Sequence, residues 1–219
     1  MVVVILGPPG AGKGTQAAVL AERLGVPHIA TGDIFRSAAR EGTQIGREAA
    51  AYMQRGELVP DEITVQMLLD RLNRRDAAAG AVLDGFPRNR RQAEALDTAL
   101  AERGMRVDRA IHIEVPAEDL VRRLAGRWQC RAAGHVYHEV SHPPRVRGVC
   151  DIDGSALYQR DDDRVETIRA RLAQQLGALA EVVAYYRERG VLATVDGRGN
   201  IQQVTEAIAD VVAGVGPAA

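Results

Sequence analysis

With 219 residues, 46% of them apolar and 26% charged, the chain can bury one substantial core and carry inserted subdomains, but not a second full domain. Its formal net charge of -1 excludes the broad basic surface that binds nucleic acid or anionic membranes, so the arginines act locally. No apolar run approaches the roughly 20 residues of a membrane span, and Val2–Leu6 is too short and lacks the basic lead-in of a secretion signal, so a cytoplasmic protein is expected.

In chain order, Val2–Leu6 reads as a buried strand and runs into the glycine-rich stretch Gly7 to Thr15. Residues 16–24 place Val19, Leu20 and Leu24 on one helical face. A short strand over 27–30 leads into Thr31-Gly32-Asp33. A helix over 61–73 carries Val65, Leu68, Leu69 and Leu72, and a strand over 81–84 ends in Asp84-Gly85-Phe86-Pro87-Arg88. A strand over 110–115, a long helix over 166–189 with Ile168, Leu172, Leu176 and Leu179, and a strand over 191–196 before Gly197 complete the pattern. The tail 214–219 is expected to fray. Such alternation predicts an α/β protein with a parallel sheet wrapped by helices, whose chemistry sits just beyond the carboxyl ends of the strands.

One lysine stands among the 28 cationic residues, and it closes the first of these strand-end segments. A compact ammonium on a flexible stem fits beneath a phosphate chain where a planar guanidinium is too broad. Gly-x4-Gly-Lys behind a strand therefore reads as a phosphate loop. Successive backbone N–H groups and a helix N-terminus cradle the anion, and Lys13 bridges its outer phosphates. Gly14 stands where Ser or Thr usually follows the lysine, and Thr15 comes next, so magnesium is expected to be held mostly through water.

Asp84 ends a buried strand, where an isolated carboxylate is costly without a cation or donors. Facing a phosphate loop, it can hold the waters of a magnesium ion bridging the nucleotide phosphates. The turn through Gly85, Phe86 and Pro87 then lets Arg88 reach a second phosphate group. Two cysteines, Cys130 and Cys150, are too few for a disulfide scaffold and read as reduced thiols or metal ligands.

The run Gly7 to Thr15, Thr31-Gly32-Asp33 with Arg36, the run Asp84 to Arg88 with Gln92, and Tyr158-Gln159-Arg160-Asp161-Asp162-Asp163 closely resemble the bacterial adenylate kinases of the long-lid type. The likeness covers almost the whole chain and keeps motif order and spacing. It implies a P-loop nucleoside monophosphate kinase fold with a five-stranded parallel sheet flanked by helices. The core would be 1–29, 60–125 and 164–219, the AMP-binding flap 30–59 and the lid 126–163. The implied reaction is reversible phosphoryl transfer from MgATP to AMP, giving two ADP, in a monomer.

Carried over by position, the resemblance gives Gly10, Ala11, Gly12, Lys13, Gly14, Thr15, Arg127, Val136, Tyr137 and Gly199 to ATP. It gives Thr31, Arg36, Glu57, Leu58, Val59, Gly85, Phe86, Pro87, Arg88 and Gln92 to AMP, with Gln92 reading the adenine edge through its amide. Lys13, Asp84, Arg88, Arg123, Arg160 and Arg171 form the implied catalytic set, with Arg160 and Arg171 shared with AMP. Eleven residues separate those last two, about three helical turns, so one helix face presents both if Arg160 lies near the helix start. Arg122, Arg164 and Arg169 read as surface ion pairs. Asp162 and Asp163 are either a solvated charge run or the groups that orient lid arginines on closure.

Relatives with a metal lid carry two pairs of ligands, the members of each pair separated by two residues, and the corresponding positions here are Cys130, Ala133, Cys150 and Asp153. One ligand is missing. His135 can complete a tetrahedron of two thiolates, one imidazole and one carboxylate around a structural zinc, while His138 is the poorer substitute. A metal-free, hydrogen-bonded lid is the other reading. Two further functions stay open: a kinase for UMP or CMP, which the long insert and Gln92 argue against, and a nucleotide-binding switch without turnover.

Overall fold

The computed structural model describes residues 1–55 and 57–214. Most of the tail expected to fray, 215–219, lies outside the described residues. Strand β1 (Val2–Leu6) has no side chain more than 2% exposed, as befits a strand covered on both faces. It leads through the glycine loop to α1 (Lys13–Leu24), then β2 (His28–Ala30), α2 (Thr31–Arg40), α3 (Gln44–Gln54) and α4 (Asp61–Leu72). Next come β3 (Ala81–Asp84), α5 (Arg90–Ala101), β4 (Val107–Glu114) and α6 (Ala117–Ala125). Three short strands, β5 (Arg127–Cys130), β6 (Val136–His138) and β7 (Leu157–Tyr158), precede α7 (Val165–Glu188), β8 (Leu192–Asp196) and α8 (Ile201–Ala213).

The main sheet has the order β2-β3-β1-β4-β8, and every neighbouring pair is parallel. Alternate residues of β1 feed two cores. Val2, Val4 and Leu6 face Leu68 and Leu72 of α4, Leu96 and Leu100 of α5, and Tyr185 and Tyr186 of α7. Val3 and Ile5 face Leu20 of α1, Leu120 and Leu124 of α6, and Ile208 and Val212 of α8. Each such buried aliphatic side chain contributes about 1.5–3 kcal/mol.

Strand β4 begins before the predicted 110. Asp108 and Arg109 break the apolar run, but the Asp108 carboxylate accepts the Val2 N–H at 2.7 Å, and a register shift between Val2 and Val3 absorbs the irregularity. Helix α1 begins at Lys13 rather than 16, straight out of the glycine loop.

Two smaller units stand apart from the sheet. Helices α2 and α3 cross so closely that a Cβ on Gly46 would lie 2.1 Å from the Ala38 carbonyl carbon, and Phe35, Ala49 and Val59 form a small core there. Strands β6-β5-β7 make an antiparallel sheet with its own core of Cys130, Tyr137, Cys150 and Leu157, against which Trp128 packs. No helix among the described residues is long and apolar enough to cross a membrane.

Candidate active site

The glycine loop sits at the carboxyl end of β1. Gly10 has φ +85°, and a Cβ there would meet the Leu120 carbonyl oxygen and Leu124 side chain at 3.0 Å, so α6 packs against bare backbone. Gly12 caps α1 without a side-chain hydrogen bond, which leaves the first-turn N–H groups and the positive end of the helix for an anion. Lys13 donates from Nζ to the Pro8 carbonyl at 3.0 Å. Burial pulls its ammonium down to about 8, with Arg88, Arg171 and Arg127 adding to that and Asp84 opposing it.

A Cβ at Gly14 would lie 3.3 Å from Asp84 Oδ2. Glycine after the lysine therefore leaves room for this carboxylate beside the loop. Burial works against the ionised form of Asp84, yet His28, whose Nε2 is 3.6 Å away, and Lys13 hold it below the usual carboxylate range. Thr31 donates its hydroxyl to the Gly85 carbonyl at 2.9 Å, and Arg88 donates Nε to the same oxygen at 2.7 Å. Gly85, at φ +74°, is pinched between these two side chains.

A shell of guanidinium groups surrounds this point. Burial brings Arg88 down to about 10, and Arg171 and Arg36 reinforce it. Arg160 falls to about 10 through burial and the proximity of Arg127 and Arg36. The acids threaded between them are few. Arg127 makes a two-pronged pair with Asp163 at 2.8 and 2.5 Å, and Arg171 meets Asp162 at 2.9 Å and Asp163 at 3.7 Å. Burial opposes ionisation of Asp162, but Arg171, Arg127 and Arg160 more than offset it and keep its carboxyl below the usual range. Arg36 pairs with Asp33, and Arg160 Nη2 stands 4.0 Å from the same carboxylate.

Arg160 and Arg171 do not share a helix face. Arg160 precedes a 3-10 turn, Asp161–Asp163, and α7 starts only at Val165. The turn, not the helical repeat, brings both arginines to Asp162 and Arg127. Arg123 is held differently, donating Nη2 to the Gly197 carbonyl at 2.9 Å after β8. Arg122 pairs with Asp119, while Arg164 and Arg169 are exposed.

Gln92 is only 1% exposed. Its oxygen accepts the Arg88 N–H at 2.8 Å and its nitrogen donates to Asp61 at 2.7 Å, which leaves one amide hydrogen and one carbonyl lone pair for a base. Asp61 was missed in the sequence. It also accepts from Asn89 Nδ2 at 2.8 Å, so it holds both Gln92 and the Asn89 cap of α5, and its only outward sign was an acid in a helix's first turn. Glu57 is turned to Arg55 at 2.7 Å, Leu58 is half-buried, and Val59 accepts from the Thr64 hydroxyl at 3.3 Å. Phe86 is buried, and its bond to Pro87 is cis. Val136 is exposed on β6, Tyr137 is buried in the small sheet, and Gly199 precedes the Asn200 capping box of α8.

In the small sheet, one ligand atom from each of Cys130, His135, Cys150 and Asp153 comes within 4.8 Å of all the others. Asp153 Oδ2 lies 3.0 Å from Cys130 Sγ and 3.2 Å from His135 Nδ1, and that nitrogen lies 3.3 Å from Cys150 Sγ. Burial pushes the Cys130 thiol up, but donors from Ser155 and Ala133 bring it down to about 7. Hydrogen bonds from Cys130 and Ser155 hold the Asp153 carboxyl well below its ordinary value.

Residues 5–191 match the family model described as adenylate kinase. The chain is 50% identical to the adenylate kinase of Streptomyces griseus over 206 residues, 94% of each chain. It is 47% identical to that of Staphylococcus aureus over 212 residues, 97% of this chain and 99% of the relative. Against the adenylate kinase of Streptomyces avermitilis it is 48% identical over 211 residues, 96% of each.

The chain belongs to the adenylate kinase family.

Its five-stranded parallel sheet is accordingly that of the P-loop nucleoside monophosphate kinases. For a member of the adenylate kinase family, the geometry gathers Lys13, Asp84 and Arg88 at the ends of β1 and β3, and Arg36, Arg127, Arg160 and Arg171 around them. Gln129 escaped the sequence reading. It is a buried amide in β5 whose oxygen accepts from Arg160, and nothing in the local pattern marks it.

Proposed function

We propose that the protein catalyses reversible phosphoryl transfer from MgATP to AMP, giving two ADP. The observation that carries this is the convergence of Lys13, Arg36, Arg88, Arg127, Arg160 and Arg171 around Asp33, Asp84, Asp162 and Asp163, a positive excess tolerable in burial only if polyanions arrive. An AMP phosphate oxygen attacks the terminal phosphorus of MgATP in line, and the bond to the ADP oxygen breaks. Backbone N–H groups of Gly10, Ala11, Gly12, Gly14 and Thr15 cradle the donor, and Lys13, Arg123, Arg160 and Arg171 meet the charge on the transferring group. Thr31, Arg36, Arg88 and Gln92 hold AMP, with backbone from 57–59 and the turn through Gly85, Phe86 and Pro87 lining its site. Arg127, Val136, Tyr137 and Gly199 complete the ATP side. Asp84 receives the magnesium waters that accompany the donor.

We read the α2–α3 unit, within 30–59, as the AMP flap and the small sheet, within 126–163, as the lid. Their closure excludes water that would otherwise intercept the phosphoryl group. A coupled ADP-production assay with AMP, CMP, UMP and GMP tests the reading. ADP is expected with AMP and little with the others; preference for CMP or UMP, or no turnover with any, overturns it.

The lid cluster fits zinc. A tetrahedron with bonds of about 2.3 Å to sulfur and about 2.0 Å to nitrogen or oxygen has edges of roughly 3.3–3.8 Å; three of the spacings here are 3.0, 3.2 and 3.3 Å and all four ligand atoms lie within 4.8 Å of one another, so small side-chain adjustments seat the ion. The donors from Ser155, Ala133 and Tyr137 to the two sulfurs supply the outer hydrogen bonds such ligands need. With four protein ligands the metal would be structural, tying the loops of the small sheet together. The family likeness also carries the reading of a monomeric cytoplasmic enzyme.

A further inference from the structure

We propose that Gln129 is a positioning residue for phosphoryl transfer, aiming the Arg160 guanidinium at the transferring phosphate through a neutral contact. The inference rests on Arg160 being a phosphoryl contact. Gln129 lies in β5 and is 6% exposed. Its Oε1 accepts from Arg160 Nε at 2.5 Å and from the Tyr158 hydroxyl at 3.4 Å, and its Nε2 donates to the Gly134 carbonyl at 3.0 Å. The amide has only one workable orientation. Arginine offers donors alone and a backbone carbonyl accepts alone, so a flip would set donor against donor and oxygen against oxygen.

Two consequences follow for Arg160. Its long side chain is clamped at Nε, which leaves both terminal nitrogens for an incoming anion, and Nη2 already stands 4.0 Å from Asp33. Second, the clamp is neutral. Arg127 and Arg171 are each matched by a close carboxylate, Asp163 or Asp162, whereas the closest partner of Arg160 is an amide oxygen. A buried cation held by a dipole keeps its charge for the phosphate; one held by a carboxylate shares it. Gln129 also ties this aim to the small sheet, because Gly134 immediately precedes His135 and its N–H donates to the Cys130 carbonyl.

The test compares Gln129→Met, which keeps length but removes the acceptor, with Gln129→Glu, which keeps the acceptor for Arg160 and adds charge; both give up the donor to the Gly134 carbonyl, so the pair isolates the Arg160 contact, and Arg160→Met is measured alongside. Gln129→Met should lower kcat about tenfold with KM for MgATP and the Trp128 fluorescence unchanged. Gln129→Glu, although it too lacks the bond to Gly134, should lose clearly less kcat than Gln129→Met and raise KM for AMP, since the carboxylate competes with phosphate for Arg160. Wild-type kcat in Gln129→Met, or equal losses in both Gln129 variants together with an altered Trp128 signal, overturns the proposal. Failure of the premises reads differently: an unmodified protein inert with AMP defeats the assigned reaction, and wild-type kcat in Arg160→Met defeats the role of Arg160.

Discussion

Lys13 shows how much chemistry one side chain draws from its surroundings. Its ordinary value of 10.5 falls to about 8 because burial and three arginines outweigh Asp84. Below about pH 8 the ammonium is charged in both folded and unfolded chains, and the fold carries the full penalty. Between about 8 and 10.5 the unfolded chain holds the extra proton, so this group makes stability rise with pH across that window. Polyphosphate would restore the charged form. At pH 8.5–9 (about half a unit or more above the folded value), MgATP binding should therefore take up protons, seen by calorimetry in buffers of different ionisation enthalpy. Lys13→Met should abolish that uptake and most turnover while still folding; undiminished kcat in that variant contradicts the assigned role. The lysine was legible from the chain alone, as the single departure from an arginine-only usage behind a strand. Gln92 was named through the family resemblance, together with its partner Arg88 four positions earlier, whereas its other partner, Asp61, lies 31 positions away and left no local trace.

Among elements, those with a continuous apolar run were the easiest to read. Strands β1 and β3 are buried on both faces and show it residue by residue. Helix α5 was not read, because its buried face is built from Gln92, Ala93, Leu96, Ala99 and Leu100, where small and polar residues dilute the helical repeat. The small sheet is the opposite extreme. Its strands are two to four residues long and its core is four side chains, too little apolar area to be independently stable, so cross-linking by a metal has a clear physical rationale. Purified protein should carry near-stoichiometric zinc. Chelation should shift the fluorescence of Trp128, the only tryptophan, before the helices melt, and His135→Ala should weaken metal retention. Zinc well below one per chain would leave a hydrogen-bonded lid instead. Cys130, Cys150 and Asp153 came from their resemblance to metal-lid relatives, and His135 from its closeness to Cys130, yet only the fold of the loops brings all four within reach of one ion.

At the scale of the whole molecule, the 3-10 turn at Asp161–Asp163 joins the small sheet to α7 and thus to the core. Asp163, whose side chain is 1% exposed, is the only carboxylate that touches Arg127 of the small sheet and Arg171 of α7 together among the described ion pairs. Asp163→Asn would leave both cations under-compensated, at a cost on the order of 3 kcal/mol or more when a buried pair is broken. The expected outcome is a fall in kcat beyond tenfold with the core's secondary structure intact by circular dichroism; full activity would show that the pairing does not govern closure. The chain by itself determined the phosphate loop, the alternation that makes a parallel sheet, and the acid and arginine after β3, because phosphate binding at a strand end and burial of a strand are local problems with local residue solutions. Tertiary structure alone decided which acids neutralise which arginines, that Gln129 holds Arg160, and that a turn rather than a helix face unites Arg160 with Arg171. Those pairings join side chains 31, 36 and, for Arg160 with Asp33, 127 positions apart, and only a packed low-dielectric interior makes the choice among many chemically equal partners energetically sharp.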